Sequence, residues 1–232
     1  MPRETLDKKI HILLDEVLML DSMVEEATRN AILALNSRNL SLARDTIAGD
    51  LEINRRRYML ENDCMVTIAT QQPIMAGDLR LLASILEVAG EMERMGDYAK
   101  GIARVCLLLN GATNIRLPGD IPRMADIAVG MMHKAIGAFV TFNAELAHQI
   151  PEEDDLVDAL HNKIYRELVE IMFADPTIID RANQVMWVAH NLERMADRVA
   201  NICERTIYVV TGKLVELDAS DDEMTAISPS VR

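Results

Sequence analysis

The chain has 232 residues, half of them hydrophobic but only 3% aromatic, with 10 glycines and 7 prolines. Leu, Ala, Met, Ile and Val carry the apolar side, Met alone contributing 15, a balance that disfavours the turn-punctuated, aromatic-rich strands of sandwiches and barrels and suits long helices. With 37 acids against 24 bases the net charge is -13, which removes any global attraction to nucleic acid or anionic lipid, because both begin with clustered Lys and Arg.

Met1-Pro2-Arg3-Glu4 opens into a charged amphipathic stretch, so no signal peptide is expected. The first predicted helix covers 5–35 and stops at Asn36-Ser37-Arg38-Asn39. The second covers 40–70 and ends before Gln72-Pro73; its run Arg55-Arg56-Arg57 reads as a solvated face rather than a phosphate patch. The third covers 76–109 and runs into the polar stretch Asn110-Gly111-Ala112-Thr113-Asn114, the longest break in the chain. The fourth opens at Pro122 and covers 122–147; the fifth covers 152–173; the sixth covers 177–211, with Asp175 as N-cap before Pro176. Gly212 closes it, and the acidic tail from Lys213 to Arg232 shows no periodicity. No segment alternates with period two for long enough to be a strand, and no uncharged 18-residue run could span a membrane. Cys64, Cys106 and Cys203, odd in number and without a CxxC, read as core residues of a reduced protein.

The expected fold class is all-α. Glu91-Met92-Glu93-Arg94-Met95-Gly96-Asp97 recurs 100 positions later as Asn191-Leu192-Glu193-Arg194-Met195-Ala196-Asp197. The apolar stripe Leu82, Ile85, Ala89, Met92, Gly96, Ala99, Ala103, Cys106 matches Ala182, Val185, Ala189, Leu192, Ala196, Val199, Cys203, Thr206 step for step. Steps of alternating three and four make a bundle seam, so the chain divides into two tandem three-helix bundles, residues 1–112 and 113–232.

The acids beside the seam need a separate reason. Glu93 and Asp97 share one helix face, as do Glu193 and Asp197, although like charges four apart destabilise a helix by about 0.2–0.5 kcal/mol. Asp154 and Asp158 form another such pair, and 104 positions earlier stand Asp50 and Asn54. Acids from two antiparallel neighbours can converge as the oxygen-rich donor set that Mg²⁺, Mn²⁺ or iron takes, with His161 and His190 at the edge in the second half. The candidate metal ligands are therefore Asp154, Asp158, Glu193 and Asp197 in the second half and Asp50, Glu93 and Asp97 in the first. The second set is expected to bind more tightly, because Asn54, Lys100 and Arg57 weaken the first where Asp158, Ala200 and His161 stand in the second. A ferritin-like di-metal oxidase or storage bundle would want two ExxH motifs, and the chain has one, Glu145 to His148. No P-loop, GxGxxG or nucleophile elbow is present, so no enzyme is expected.

The run from Gln72 to Arg80 (QPIMAGDLR), the ERMGDYA of Glu93–Ala99, the DLVDAL of Asp155–Leu160 and the NLERMAD of Asn191–Asp197 resemble the PhoU family over about residues 5–212. That resemblance implies tandem three-helix bundles, metal (Fe, Mn, Zn or Mg) at doubled E(D)xxxD motifs, and frequent dimerisation. It further implies a cytoplasmic regulator that restrains phosphate uptake and represses the starvation response, alongside a transporter ATPase and a sensor histidine kinase. Asn54 and Ala196 depart from the pattern.

Overall fold

Helices whose apolar residues step by threes and fours must bury that stripe against neighbours, because an isolated helix has nothing to cover it. In the computed structural model, which describes residues 2–110 and 115–217, the chain does this with seven α-helices among the described residues: α1 (Pro2–Ser37), α2 (Leu40–Thr70), α3 (Ala76–Leu108), α4 (Ile121–Val140), α5 (Ala144–Gln149), α6 (Asp154–Ala174) and α7 (Ile179–Thr211). Among the described residues there is no strand, and no helix there is long and apolar enough to cross a membrane.

All sixteen residues of the two predicted seams are buried on α3 and α7. α1, α2 and α3 pack on one another, and α4, α6 and α7 do the same. The two sets meet where α3 lies against α7 and α1 against α4, and their buried side chains join in one continuous apolar cluster. Both contacts are antiparallel. Glu87 on α3 pairs with Arg205 at 3.3 Å and Glu91 with Arg198 at 3.4 Å; Arg29 on α1 meets Asp126 on α4 at 3.2 Å, and Asp21 meets His133 at 2.9 Å. At Gly96 the backbone of α3 comes so close to α2 and α1 that an added Cβ would lie 3.3 Å from two carbons of Ile53 and 3.8 Å from Val24.

One expectation is corrected. The predicted fourth helix, 122–147, breaks after Val140, because Phe142 takes a left-handed conformation (φ 55°). The Asn143 amide N–H then reaches back to the Ala138 carbonyl at 2.9 Å while its side chain caps α5 by accepting from the Leu146 N–H at 3.0 Å. The α1–α2 corner is built the same way: Arg38 has φ 53°, Asn39 N–H bonds Ala34 O at 2.9 Å, and the Asn39 side chain accepts from Ser41 and Leu42 N–H groups at 3.1 Å. An asparagine accepts the N-terminal amides of a helix and so starts a new one at each corner. After α5, Pro151 opens a 3₁₀ turn (Ile150–Glu153) before α6, so the second half replaces the unbroken α2 by two pieces.

Asp175 does cap, accepting from Thr177 N–H at 3.0 Å, though a short 3₁₀ turn delays α7 to Ile179. Gly212, at φ 72°, ends α7 in the left-handed conformation that glycine tolerates best. Beyond it the chain is non-helical and turns back, with Leu217 N–H bonding the Glu204 carboxylate at 2.9 Å and Val215 and Leu217 packed on the core. The rest of the expected aperiodic tail, 218–232, and the expected bundle boundary at 112/113 lie outside the described residues. The three cysteines are free and buried, and burial pushes the Cys64 and Cys203 thiols up to about 12, so they serve as core.

Candidate metal-binding flanks

In the first half, α2 supplies Asp50, which is buried, and α3 supplies Glu93 and the exposed Asp97 on a facing flank. Lys100, one turn past Asp97, lies across them: its Nζ donates to Asp50 Oδ2 at 2.6 Å and to Asp97 Oδ1 at 3.1 Å. Asn54 Nδ2 donates to Asp50 Oδ2 at 3.1 Å as well. The acids hold the Lys100 ammonium protonated above the ordinary lysine range, chiefly through its hydrogen bond to Asp50. Burial pushes the Glu93 carboxyl up, Asp97 and Asp50 add to that, and Arg57 and Arg94 oppose it. This flank carries its own counter-ion.

In the second half no ammonium stands at that place, because the residue equivalent to Lys100 is Ala200, itself buried. Asp154 in the first turn of α6, and Glu193 and Asp197 on α7, are half-buried, while Asp158 is exposed. His190 Nδ1 lies 3.1 Å from Glu193 Oε2. Trp187 sets its edge against His190 with ring centres 5.6 Å apart, and His161 follows at 6.5 Å. These rings, with Tyr165, Asn183 and Met186, line a groove of roughly 260 Å³ between α6 and α7. Imidazole and carboxylate side by side suit borderline first-row metals. The donor types of this flank suit a dication, whereas on the first flank Lys100 already occupies two of the three acids, Asp50 and Asp97.

Neither set brings three ligand atoms within 4.8 Å of one another. Among the described residues that spacing is met instead by Asp21, Glu25 and His133, where α1 meets α4. The sequence does hold a signal for Asp21: it stands among Val17, Leu20, Val24 and Thr28, all buried, so an acid occupies the core-facing stripe of α1. The Arg55-Arg56-Arg57 run is taken up by carboxylates, at 3.3 Å to Glu52, 2.7 Å to Glu16 and 2.8 Å to Glu61, but only Arg55 is exposed as the solvated-face reading expects, Arg56 and Arg57 being half-buried.

The family model of the PhoU domain matches twice, at residues 18–106 and 121–206, once in each half. The chain is 33% identical over 218 residues to the phosphate-specific transport system accessory protein PhoU homolog of Clostridium acetobutylicum, covering 94% of this chain and 100% of that protein. It is 34% identical over 202 residues to the homolog of the same name from Aquifex aeolicus, covering 87% and 91%. Among solved structures, the phosphate transport system regulatory protein PhoU from Streptococcus pneumoniae superposes with a TM-score of 0.85 at 31% identity, over 91% of this chain and all of that one. PhoU from Pseudomonas aeruginosa superposes with a TM-score of 0.83 at 30% identity, over 89% of this chain and 99% of that one. With both halves matched and relatives aligned end to end, the chain belongs to the PhoU family.

Proposed function

We propose that this protein is a non-enzymatic accessory regulator of phosphate-specific transport. It lowers phosphate uptake and holds the starvation response off when phosphate is plentiful. It acts in the cytoplasm as a homodimer, through the transporter's ATPase subunit and a sensor histidine kinase. The observation that carries this is the end-to-end match to proteins named as accessory proteins of such a system. The paired halves offer such partners a long helical surface with a net charge of -13 behind it.

Metal binding belongs to the same proposal. A divalent or iron-type ion sits on the second flank, held by Asp154, Asp158, Glu193 and Asp197, and contributes a fixed positive charge there. The donor chemistry and the missing ammonium at Ala200 support this. On the first flank Lys100 supplies the charge itself. The regulatory role is tested by deleting the gene and measuring phosphate uptake and starvation-gene expression in high phosphate. Both rise if the proposal holds; if both stay at the parental level, the proposal is abandoned.

A further inference from the structure

We propose that Asp21, Glu25 and His133 form a site for one dication of the manganese-to-zinc series, clamped between α1 of the first half and α4 of the second. It is separate from both E(D)xxxD flanks and independent of the regulatory proposal. The site begins from a burial anomaly. Asp21 is 2% exposed and lies in the apolar stripe of α1, where leaving a carboxylate in place of a hydrocarbon is costly without compensation. Its Oδ2 lies 2.9 Å from His133 Nδ1, but its Oδ1 is buried with no hydrogen-bond partner at all. A His–Asp pair accounts for one oxygen and leaves the other unexplained.

The surrounding groups complete a donor set. Glu25, one turn along α1, faces the same way. Its Oε1 is taken by Arg29 Nε at 3.0 Å, while its Oε2 lies 3.9 Å from His133 Nδ1. The ligand atoms of all three residues lie within 4.8 Å of one another. Two donors each about 2.1 Å from a metal, at tetrahedral or octahedral angles, are themselves about 3.0–3.4 Å apart. The separations of 2.9 and 3.9 Å from His133 Nδ1 bracket that range, and with all three ligand atoms within 4.8 Å of one another the site closes by a rotation of the Glu25 carboxylate towards Asp21 and His133. An imidazole beside two carboxylates selects transition metals over Ca²⁺ and Mg²⁺, which want oxygen alone. His133 is 67% exposed in its side chain, which gives the ion an entry path and water for its remaining positions. The Arg29 guanidinium also binds Asp126 at 3.2 Å and so is held away from the open oxygens.

The test is Zn²⁺ titration by calorimetry on the full chain, run in parallel with thermal melts. His133→Ala and Asp21→Asn are expected to weaken one Zn²⁺ class per chain by at least about tenfold, whereas Glu193→Ala/Asp197→Ala leaves that class in place. Asp21→Asn without metal should melt above the parent, since the buried charge is gone, and Zn²⁺ should then add less stabilisation than it adds to the parent. That higher melting temperature guards against reading a misfolded variant as a lost site. Unchanged Zn²⁺ stoichiometry and affinity in both single-site variants overturns the proposal. So does loss of every class in the Glu193/Asp197 variant alone.

Discussion

The two halves share a helical plan, with the counterpart of α2 broken into α5 and α6 in the second, and they differ further in their electrostatics. Both corners place a left-handed residue before a capping asparagine, Arg38-Asn39 and Phe142-Asn143, 104 positions apart. Both third helices carry the same ExxxD on the same flank. Yet in one half a lysine ties Asp50 to Asp97, and in the other the corresponding residue is an alanine inside the core. The difference teaches that a duplicated acidic motif does not by itself specify a metal site. What separates the two copies is the residue beside the acids: at position 100 a lysine bonds two of them, and at position 200 an alanine cannot.

The widest gap between the halves should appear in Mn²⁺ affinity. Glu193→Ala/Asp197→Ala is expected to weaken the tighter class by more than about a hundredfold, because each missing charge a few ångströms from the ion is worth about 1–4 kcal/mol. Glu93→Ala/Asp97→Ala should leave that class intact. If isothermal titration shows the tighter class lost only in the Glu93/Asp97 variant, the order of the flanks is reversed. Lys100→Ala probes the same contrast from the other side. It should strengthen Mn²⁺ binding at the first flank by about tenfold. Without metal it should cost about 1.5–3 kcal/mol in urea melts, because buried Asp50 keeps only the Asn54 amide. A stable Lys100→Ala variant with unchanged Mn²⁺ binding would mean that Lys100 is an ordinary surface pair.

Most of the fold is legible in the sequence because it is written in periodicities that survive a helix-by-helix reading: the seams, the internal repeat and the asparagine, proline and glycine stops. The break at Thr141-Phe142-Asn143 is not legible locally, since Phe and Thr carry no turn signal and the apolar spacing continues through them. Its signal is relational: Asn143 stands 104 positions after Asn39, the offset that also relates Asp154 to Asp50. The candidate flanks were legible as acids on one face, and Lys100 as a residue near them, but the sequence does not say that the lysine bonds both acids. The Asp21–Glu25–His133 cluster was not legible because its third member comes from the other half, and no helix-internal spacing reports a contact between α1 and α4.

Gly96 and Ala196 give a smaller contrast in packing. Position 96 faces Ile53, which is 2% exposed and held between α2 and α3. Gly96→Ala would gain about 1 kcal/mol of helix propensity, but overpacking against Ile53 costs about 1–3 kcal/mol, so a net loss of about 1 kcal/mol is expected. The double variant Gly96→Ala/Ile53→Val should recover part of it, because it removes Cδ1, one of the two Ile53 carbons 3.3 Å from the new methyl, and leaves Cγ2. Gly101→Ala meets Asn191 Nδ2 at 2.9 Å instead, a side chain that is only half-buried and can swing aside, so this variant should be neutral or stabilising. Equal losses at positions 96 and 101 in urea denaturation would refute the distinction.

The smallest effect concerns how α3 and α7 begin. Asp78 Oδ2 accepts from the Met75 N–H at 3.1 Å and from Arg3 Nη1 at 2.6 Å, tying α1 to the first turn of α3. The counterpart before α7 is Asp175, which is exposed and bonds only within its own turn, to the Thr177 hydroxyl and N–H. The Arg3 guanidinium holds the Asp78 carboxyl below the usual carboxylate range, and the Thr177 hydrogen bonds do the same for Asp175. Both folded values lie below the unfolded value of about 3.9, so across that interval the unfolded chain binds more protons and stability rises with pH. Each contribution is complete above about pH 5, begins to fall near the unfolded value and is gone once the pH has dropped through the folded one. Asp78→Asn should therefore lose about 1 kcal/mol at pH 7. The gap to the parent should narrow as urea midpoints are followed below the unfolded value of about 3.9, towards the acid limit at which the parent's own Asp78 takes up its proton. Asp175→Asn should show the same sign with a smaller gap, because its partners are local and its carboxylate is already in water. A gap at Asp78 that stays constant from pH 7 to that acid limit would show that the capping geometry alone, and not the charge facing Arg3, stabilises the start of α3.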